Sequence, residues 1–248
     1  WFVNMVDPGM LSLVASAFCI AGFVKGMVGL GLPTVSLGLL SLFVDLPTAM
    51  ALLVMPSLVT NIWQAIAGGE FTSLFRRLWL FLLLAVTMVH VGAELFTMVE
   101  MLLLQRSLGA LLLLYALLAL VGKTPRLSPI QERVSSPICG AINGMLTGLT
   151  GTLFVPGVLF LQAIGLSRDA LVQAMGMLFA ASTASLGLAL YWHGRMPFDV
   201  GILSCAALLP ALFGMGVGQA LRGHLSQDLF RRLFLIAIGG LGSHILLS

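Results

Sequence analysis

The stretch "GFVKGMVGLGLPTV", residues 22–35, sets one lysine and four glycines in an otherwise apolar run and closes it with Pro33. An ammonium inside an apolar segment needs a partner, and glycines at that density let the backbone unwind. Pro33 suits the first turn of a following helix, where no N–H partner is lost. The stretch therefore reads as a helix carrying Lys25, a break over Gly29–Gly31, and a second helix with the Thr34 hydroxyl in its opening turn.

The surroundings say which solvent this happens in. Of the 248 residues, 59% are hydrophobic and 8% charged, against roughly 25% charged in ordinary soluble domains. Runs such as "LWLFLLLAVTMV" and "LGALLLLYALLALVG" are leucine-rich without strand-like alternation. Helices, rather than a barrel, then satisfy the backbone in lipid. The expected class is an all-α polytopic membrane protein. Residues 9–28 lack a basic leading region and carry Lys25 late in the apolar run, so they read as a retained span rather than a signal peptide. The formal charge of +3 comes without a basic or aromatic-interleaved patch, which argues against nucleic acid. Cys19, Cys139 and Cys205 lie in apolar segments without metal-type spacing and read as packing residues. No metal site and no cofactor is expected.

The opening device occurs twice. "GFVKGM" at 22–27 resembles "GAINGM" at 140–145, an offset of 118 that sets Asn143 opposite Lys25. Farther on, "GLTGTLF" offers Gly148 and Gly151 as breakers, with Thr147, Thr150 and Thr152 as hydroxyl donors. Each half reads as a glycine-broken segment, a short apolar segment and three longer spans. The expected segments are 9–28, 33–44, 47–67, 78–93 and 98–121, then 136–149, 152–164, 169–192, 199–218 and 228–247. A first repeat over 1–122, a cytoplasmic linker over 123–135 and a second repeat over 136–248 follow. The short segments hold about 12 residues, whereas crossing the hydrocarbon takes about 20, so they are re-entrant or tilted broken helices. Either way each half crosses an odd number of times, and the second repeat is inverted relative to the first.

Cations set the orientation. With the joint inside, Lys123, Arg126, Arg133, Arg76, Arg77, Arg168, Arg222, Arg231 and Arg232 are cytoplasmic, and only Arg195 is clearly outside. Both termini are then expected in the periplasm of a bacterial inner-membrane protein.

Inverted repeats with discontinuous helices are a common architecture of secondary transporters, whose half-helix N-termini present free N–H groups to an anion near the midplane. Lys25 fits that use. The alternative is a lysine that snorkels to a headgroup or pairs with a carboxylate. Ser57, Asn61 and Gln64 share one face of the third segment, and an offset of 121 sets Ser182 opposite Asn61 and Ser185 opposite Gln64. Such a stripe bonds neighbouring helices or lines a cavity. His90 and Glu94, at i and i+4, are candidates for proton coupling or an ordinary interfacial pair. "GMVGLGL" lacks the GK[ST] ending of a nucleotide loop, and HExxH and GxSxG are absent, so no enzyme is expected.

The residues "AGFVKGMVGLGLPTVSLGLLSLFVDLPTAMALLVMPSLVTNIWQAI" and "GAINGMLTGLTGTLFVPGVLFLQAIGLSRDALVQAMGMLFAAS" resemble the two repeats of the TauE/SafE family of sulfite exporters. The "KG…GLGLP" turn followed by "PSL…N.WQ" is closer to its TauE branch, although Leu32 stands where many relatives have glycine. The resemblance implies export of sulfite or a small organosulfonate such as sulfoacetate, without fixing which. Its motif positions fall on Lys25, Gly29, Gly31, Pro33, Asn61, Gln64, Gly148 and Gly151. With the donors read from the residues, the expected substrate contacts add Thr34, Asn143, Thr150, Thr152, Ser182 and Ser185. Expected partners are that small anion and the lipid bilayer, with a homodimer left open. The alternative is an anion channel or membrane sensor without coupled transport.

Overall fold

A computed structural model describes residues 7–122, 126–224 and 226–247. Those residues form ten helices and no strand. In the first half they are α1 (Pro8–Val28), α2 (Leu32–Leu40), α3 (Leu46–Ile66), α4 (Phe71–Met98) and α5 (Met101–Val121). In the second they are α6 (Pro129–Thr150), α7 (Gly157–Ala163), α8 (Arg168–Trp192), α9 (Phe198–Leu221) and α10 (Gln227–Leu247). All except α2, α6 and α7 are long and apolar enough to cross a membrane. The chain is a polytopic helical membrane protein. Each expected segment has its helix, but α6 begins at Pro129 rather than 136. Ser128 and Gln131 close a capping box that starts the helix inside the polar joint. Lys123, at the head of that joint, lies outside the described residues.

Helix pairing follows a rule. α1 packs along α9 as α4 packs along α6; α3 meets α9 as α8 meets α4; and α3–α8 and α5–α10 are pairs in themselves. Adding five to every element number returns the same set of principal contacts.

Glycine brings backbone against backbone in the α1–α9 and α4–α6 seams. A Cβ on Gly22 or Gly26 would lie 2.0 Å from the Ala211 carbonyl oxygen or 2.3 Å from that of Met215 in α9. On Gly140 or Gly144 it would lie 2.4 Å from the oxygen of Phe81 or 2.2 Å from that of Ala85 in α4. Close approach of this kind holds helices together in lipid, where burying apolar surface between helices gains nothing over lipid contact. Gly148 belongs to the same seam, 2.1 Å from the Val89 oxygen by the same measure. It is therefore a packing glycine within α6, not the breaker expected of it. The break falls at Gly151, whose positive φ of 73° ends the helix.

Pro56, inside α3, leaves the Leu52 carbonyl without its helical N–H partner. Ser204 of α9 supplies one: its Oγ donates to the Leu52 oxygen at 2.9 Å and accepts from the Met55 N–H at 3.1 Å. A kink in a span is thus satisfied by a neighbouring hydroxyl.

Gly144→Ala should separate α4 from α6 and destabilise the protein by roughly 1–3 kcal/mol. Gly216→Ala, where a Cβ meets nothing within 4 Å, serves as control. Thermal unfolding in detergent should show a lower midpoint for Gly144→Ala and an unchanged or higher one for the control; equal midpoints would contradict the seam.

Candidate functional site: a buried lysine in a polar cavity

The end of α1 is built around Lys25. Gly29, with φ 84°, donates its N–H to the Lys25 carbonyl at 2.7 Å, and Gly31, with φ 110°, begins α2. Only glycine takes such a pair of angles without strain, so the two residues fix where the helix stops. The stop leaves Lys25 in the last helical turn, where a cation is favoured by the negative end of the helix dipole.

The side chain is 5% exposed. Its ammonium donates to Thr60 Oγ1 at 3.1 Å and to Asn61 Oδ1, both on α3. Asn61 in turn donates from Nδ2 to Ser57 Oγ at 3.0 Å, and Ser57 meets Thr183 Oγ1 of α8 at 3.3 Å. One hydrogen-bonded line therefore runs from α1 through α3 into α8. Among the described residues no carboxylate is paired with Lys25, and of the three ammonium hydrogens two are used.

A cavity of about 380 Å³ opens onto it. Lys25, Gly26 and Gly29 line it from α1, and Thr60, Trp63 and Gln64 from α3. Asp169, Val172 and Gln173 come from α8, and Met215, Gln219 and Arg222 from the end of α9. The lining holds two cations and one carboxylate. Its rim is tied by a reciprocal amide pair: Gln64 Nε2 donates to the Val172 carbonyl at 2.8 Å and Gln173 Nε2 to the Ala65 carbonyl at 2.7 Å. Gln173 also accepts the Glu70 N–H at 2.9 Å, which joins the end of α3 to the start of α4.

Of the expected contacts, the cavity gathers Lys25, Gly29 and Gln64, with Asn61 directly behind the ammonium. Gly31, Pro33 and Thr34 do not line it; a Cβ on Gly31 would face Val24 and Phe234. The second-half turn does not line it either, because its groups are used within the loop. Thr147 Oγ1 donates to the carbonyls of Asn143 and Thr152, each at 2.8 Å, and the Thr150 and Thr152 hydroxyls meet at 2.8 Å. A Cβ on Gly151 would touch Met50 and Leu37. Nor is the N-terminus of α7 free, since Asn143 Oδ1 accepts the Gly157 N–H at 3.0 Å.

Two atoms stand apart. Asn143 Nδ2 and Ser182 Oγ are fully buried and have no hydrogen-bond partner among the described residues, an arrangement that costs about 1–3 kcal/mol for each group. Ser185 donates to the Val86 carbonyl at 2.8 Å and meets His90 Nε2 at 3.2 Å. His90 thus turns to Ser185 and to the Trp192 ring, 5.2 Å away, rather than to Glu94, which is exposed. Sequence reading passed over Thr60, Gln173, Gln219 and Arg222. Gln173 carried a signal, an amide in an apolar span, whereas Arg222 read only as a loop cation.

A multi-pass helical bundle with a charged donor buried beneath a polar cavity is the build of a membrane transport protein. The chain belongs to the TauE/SafE family: the family model described as "Sulfite exporter TauE/SafE" matches residues 14–245, nearly its whole length. Searches of curated proteins and of solved structures returned no match.

If Asn61 holds the ammonium, Asn61→Leu should destabilise the protein by about 1.5–3 kcal/mol, the range for hydrogen bonds to charged groups. The loss should largely disappear in a Lys25→Met background. Additive effects in this double-mutant cycle, read by thermal unfolding, would mean that the two side chains are not coupled.

Proposed function

We propose that the protein is a secondary transporter that exports sulfite or a small organosulfonate such as sulfoacetate from the bacterial cytoplasm across the inner membrane. One observation carries the reading: a buried ammonium, partnered among the described residues by a hydroxyl and an amide oxygen, faces a cavity large enough for a small oxyanion. Burying an uncompensated charge in a membrane span is costly, up to about 2.5–3.5 kcal/mol at the helix centre even on the mild insertion scale. A sulfite or sulfonate in the cavity supplies the missing negative charge. Its three oxygens suit several convergent donors, here the third ammonium hydrogen, the Arg222 guanidinium and the Gln219 amide; the Thr60 hydroxyl gives its own proton to the Pro56 carbonyl at 2.7 Å. Membership of an exporter family supports the same reading; the turn at 25–33 favours the TauE branch within it.

The pairing of helices under addition of five supports two inverted repeats. The cavity lies at the end of the bundle that carries Arg222 and Arg168, so the positive-inside rule makes that end cytoplasmic, with both termini periplasmic. An exporter that loads its substrate opens on that side. The unpartnered Asn143 and Ser182, which correspond to Lys25 and Asn61 across the repeat, are donors for the anion once it passes the α3–α8 seam. The inside-negative potential already favours export of an anion by about 2.3 kcal/mol per charge per 100 mV, so proton coupling through His90 is not required.

Proteoliposomes loaded with unlabelled sulfite should transiently accumulate external radiolabelled sulfite by counterflow, and Lys25→Arg should abolish it because a planar fork does not replace a compact ammonium. Downhill flux without counterflow would replace the transporter with a channel. A reporter that works only in the periplasm, fused to the C-terminus, should be active; activity of a cytoplasmic reporter there would overturn the topology.

A further inference from the structure

A second cavity, of about 570 Å³, lies between the first turns of α4 and α6, remote from Lys25. Arg76, Arg77 and Trp79 line it from α4, and Glu132, Arg133 and Ser136 from α6. The charges in it are not equivalent. Arg77 is engaged: its Nε and Nη2 meet the two Glu132 carboxylate oxygens at 2.7 Å each, and Nη2 also donates to the Ile164 carbonyl at 3.0 Å. That bidentate pair is neutral and pins α4 to α6 and to the end of α7. Among the described residues Arg76 and Arg133 make no side-chain hydrogen bond or ion pair, so the groove presents two uncommitted guanidinium groups on a braced frame.

Its level relative to the bilayer follows from α4. With 28 residues the helix is about 42 Å long, against a hydrocarbon core of about 30 Å. The unbroken apolar stretch begins at Leu78, immediately after the two arginines, which places them in the headgroup layer. Below them on the same face, Trp79 is 53% and Leu83 49% exposed. The groove is therefore basic at its water end and continues into an aromatic and aliphatic ridge at its lipid end. An indole at this level is amphipathic in the same sense as its surroundings.

We propose that this groove binds an anionic phospholipid, with its phosphate between Arg76 and Arg133 and an acyl chain along Trp79 and Leu83. A free oxyanion would use the guanidinium groups but not the ridge. A zwitterionic lipid would use the ridge but bring no net charge to two unpaired cations. The proposal stands apart from the transport reading, since neither the cavity at Lys25 nor the identity of its substrate enters it.

Native mass spectrometry of the detergent-purified protein, titrated with phosphatidylglycerol and with phosphatidylcholine, tests it. The parent should retain phosphatidylglycerol preferentially, and the double variant Arg76→Gln, Arg133→Gln should lose that preference by about tenfold or more, at roughly 1 kcal/mol for each arginine near the lipid surface. Inorganic phosphate at equal concentration should not compete. Equal preference in parent and variant, or displacement by phosphate alone, would overturn the proposal. A second measurement leaves the arginines in place. Brominated phosphatidylglycerol should quench tryptophan emission more than its phosphatidylcholine counterpart, and Trp79→Phe should remove the excess. An excess that survives Trp79→Phe would place the lipid elsewhere.

Discussion

An ammonium buried in a membrane-spanning helix and held by neutral partners is the constraint from which the rest of the structure follows. Lys25 is buried, Thr60 and Asn61 accept from it, and no carboxylate among the described residues pairs with it. The pair of positive-φ glycines ends α1 one turn beyond it. Its acceptor Asn61 is held by Ser57, which is in contact with Thr183 across the α3–α8 pair. Removing the charge would leave this line of side chains without a reason to be polar. Keeping it without an anion leaves a desolvated cation that hydroxyl and amide dipoles offset only in part.

The scaffold around the lysine is rigid for a different reason. The α1–α9 and α4–α6 seams bring backbones together at glycine, so the helices carrying Lys25 and Asn143 are each fixed against a long partner. The polar edges of the cavity are fixed as well, by the Gln64–Val172 and Gln173–Ala65 bonds, and the α3 kink is held separately by the Ser204 hydroxyl. In lipid such bonds also answer the problem of backbone groups freed by helix ends and by proline. The glutamine bonds are therefore at once cavity rim and helix joint.

Much of this was legible in the sequence. Composition and leucine-rich runs gave the helical membrane class, and the "KGMVGLGLP" motif located both the buried charge and the turn beside it. The internal likeness of residues 22–27 and 140–145 put the second short helix in place and set Asn143 opposite Lys25. The limits were physical. Gly148 could not be told from a breaker, because a glycine at a backbone seam and a glycine at a helix end look alike in one dimension. The threonines at 147, 150 and 152 read as free donors, but Thr147 and Thr150 bond back to the i−4 carbonyls of α6 and the chain after Gly151 folds the Thr152 carbonyl and hydroxyl onto them. Arg222 and Gln219 are brought to Lys25 by the α1–α9 pairing, nearly two hundred residues along the chain, which no local pattern encodes. The glutamine pair at 64 and 173 depends on α3 lying against α8.

The most direct test of the account is calorimetric binding of sulfite and sulfoacetate to the purified parent and to Lys25→Ala. Charge-assisted bonds contribute about 1.5–3 kcal/mol each, so one or both anions should bind the parent, and that affinity should fall by one to two decades in a variant that is still folded. Unchanged affinity in folded Lys25→Ala would contradict the account, and would mean that the buried ammonium serves the helix end and not the anion.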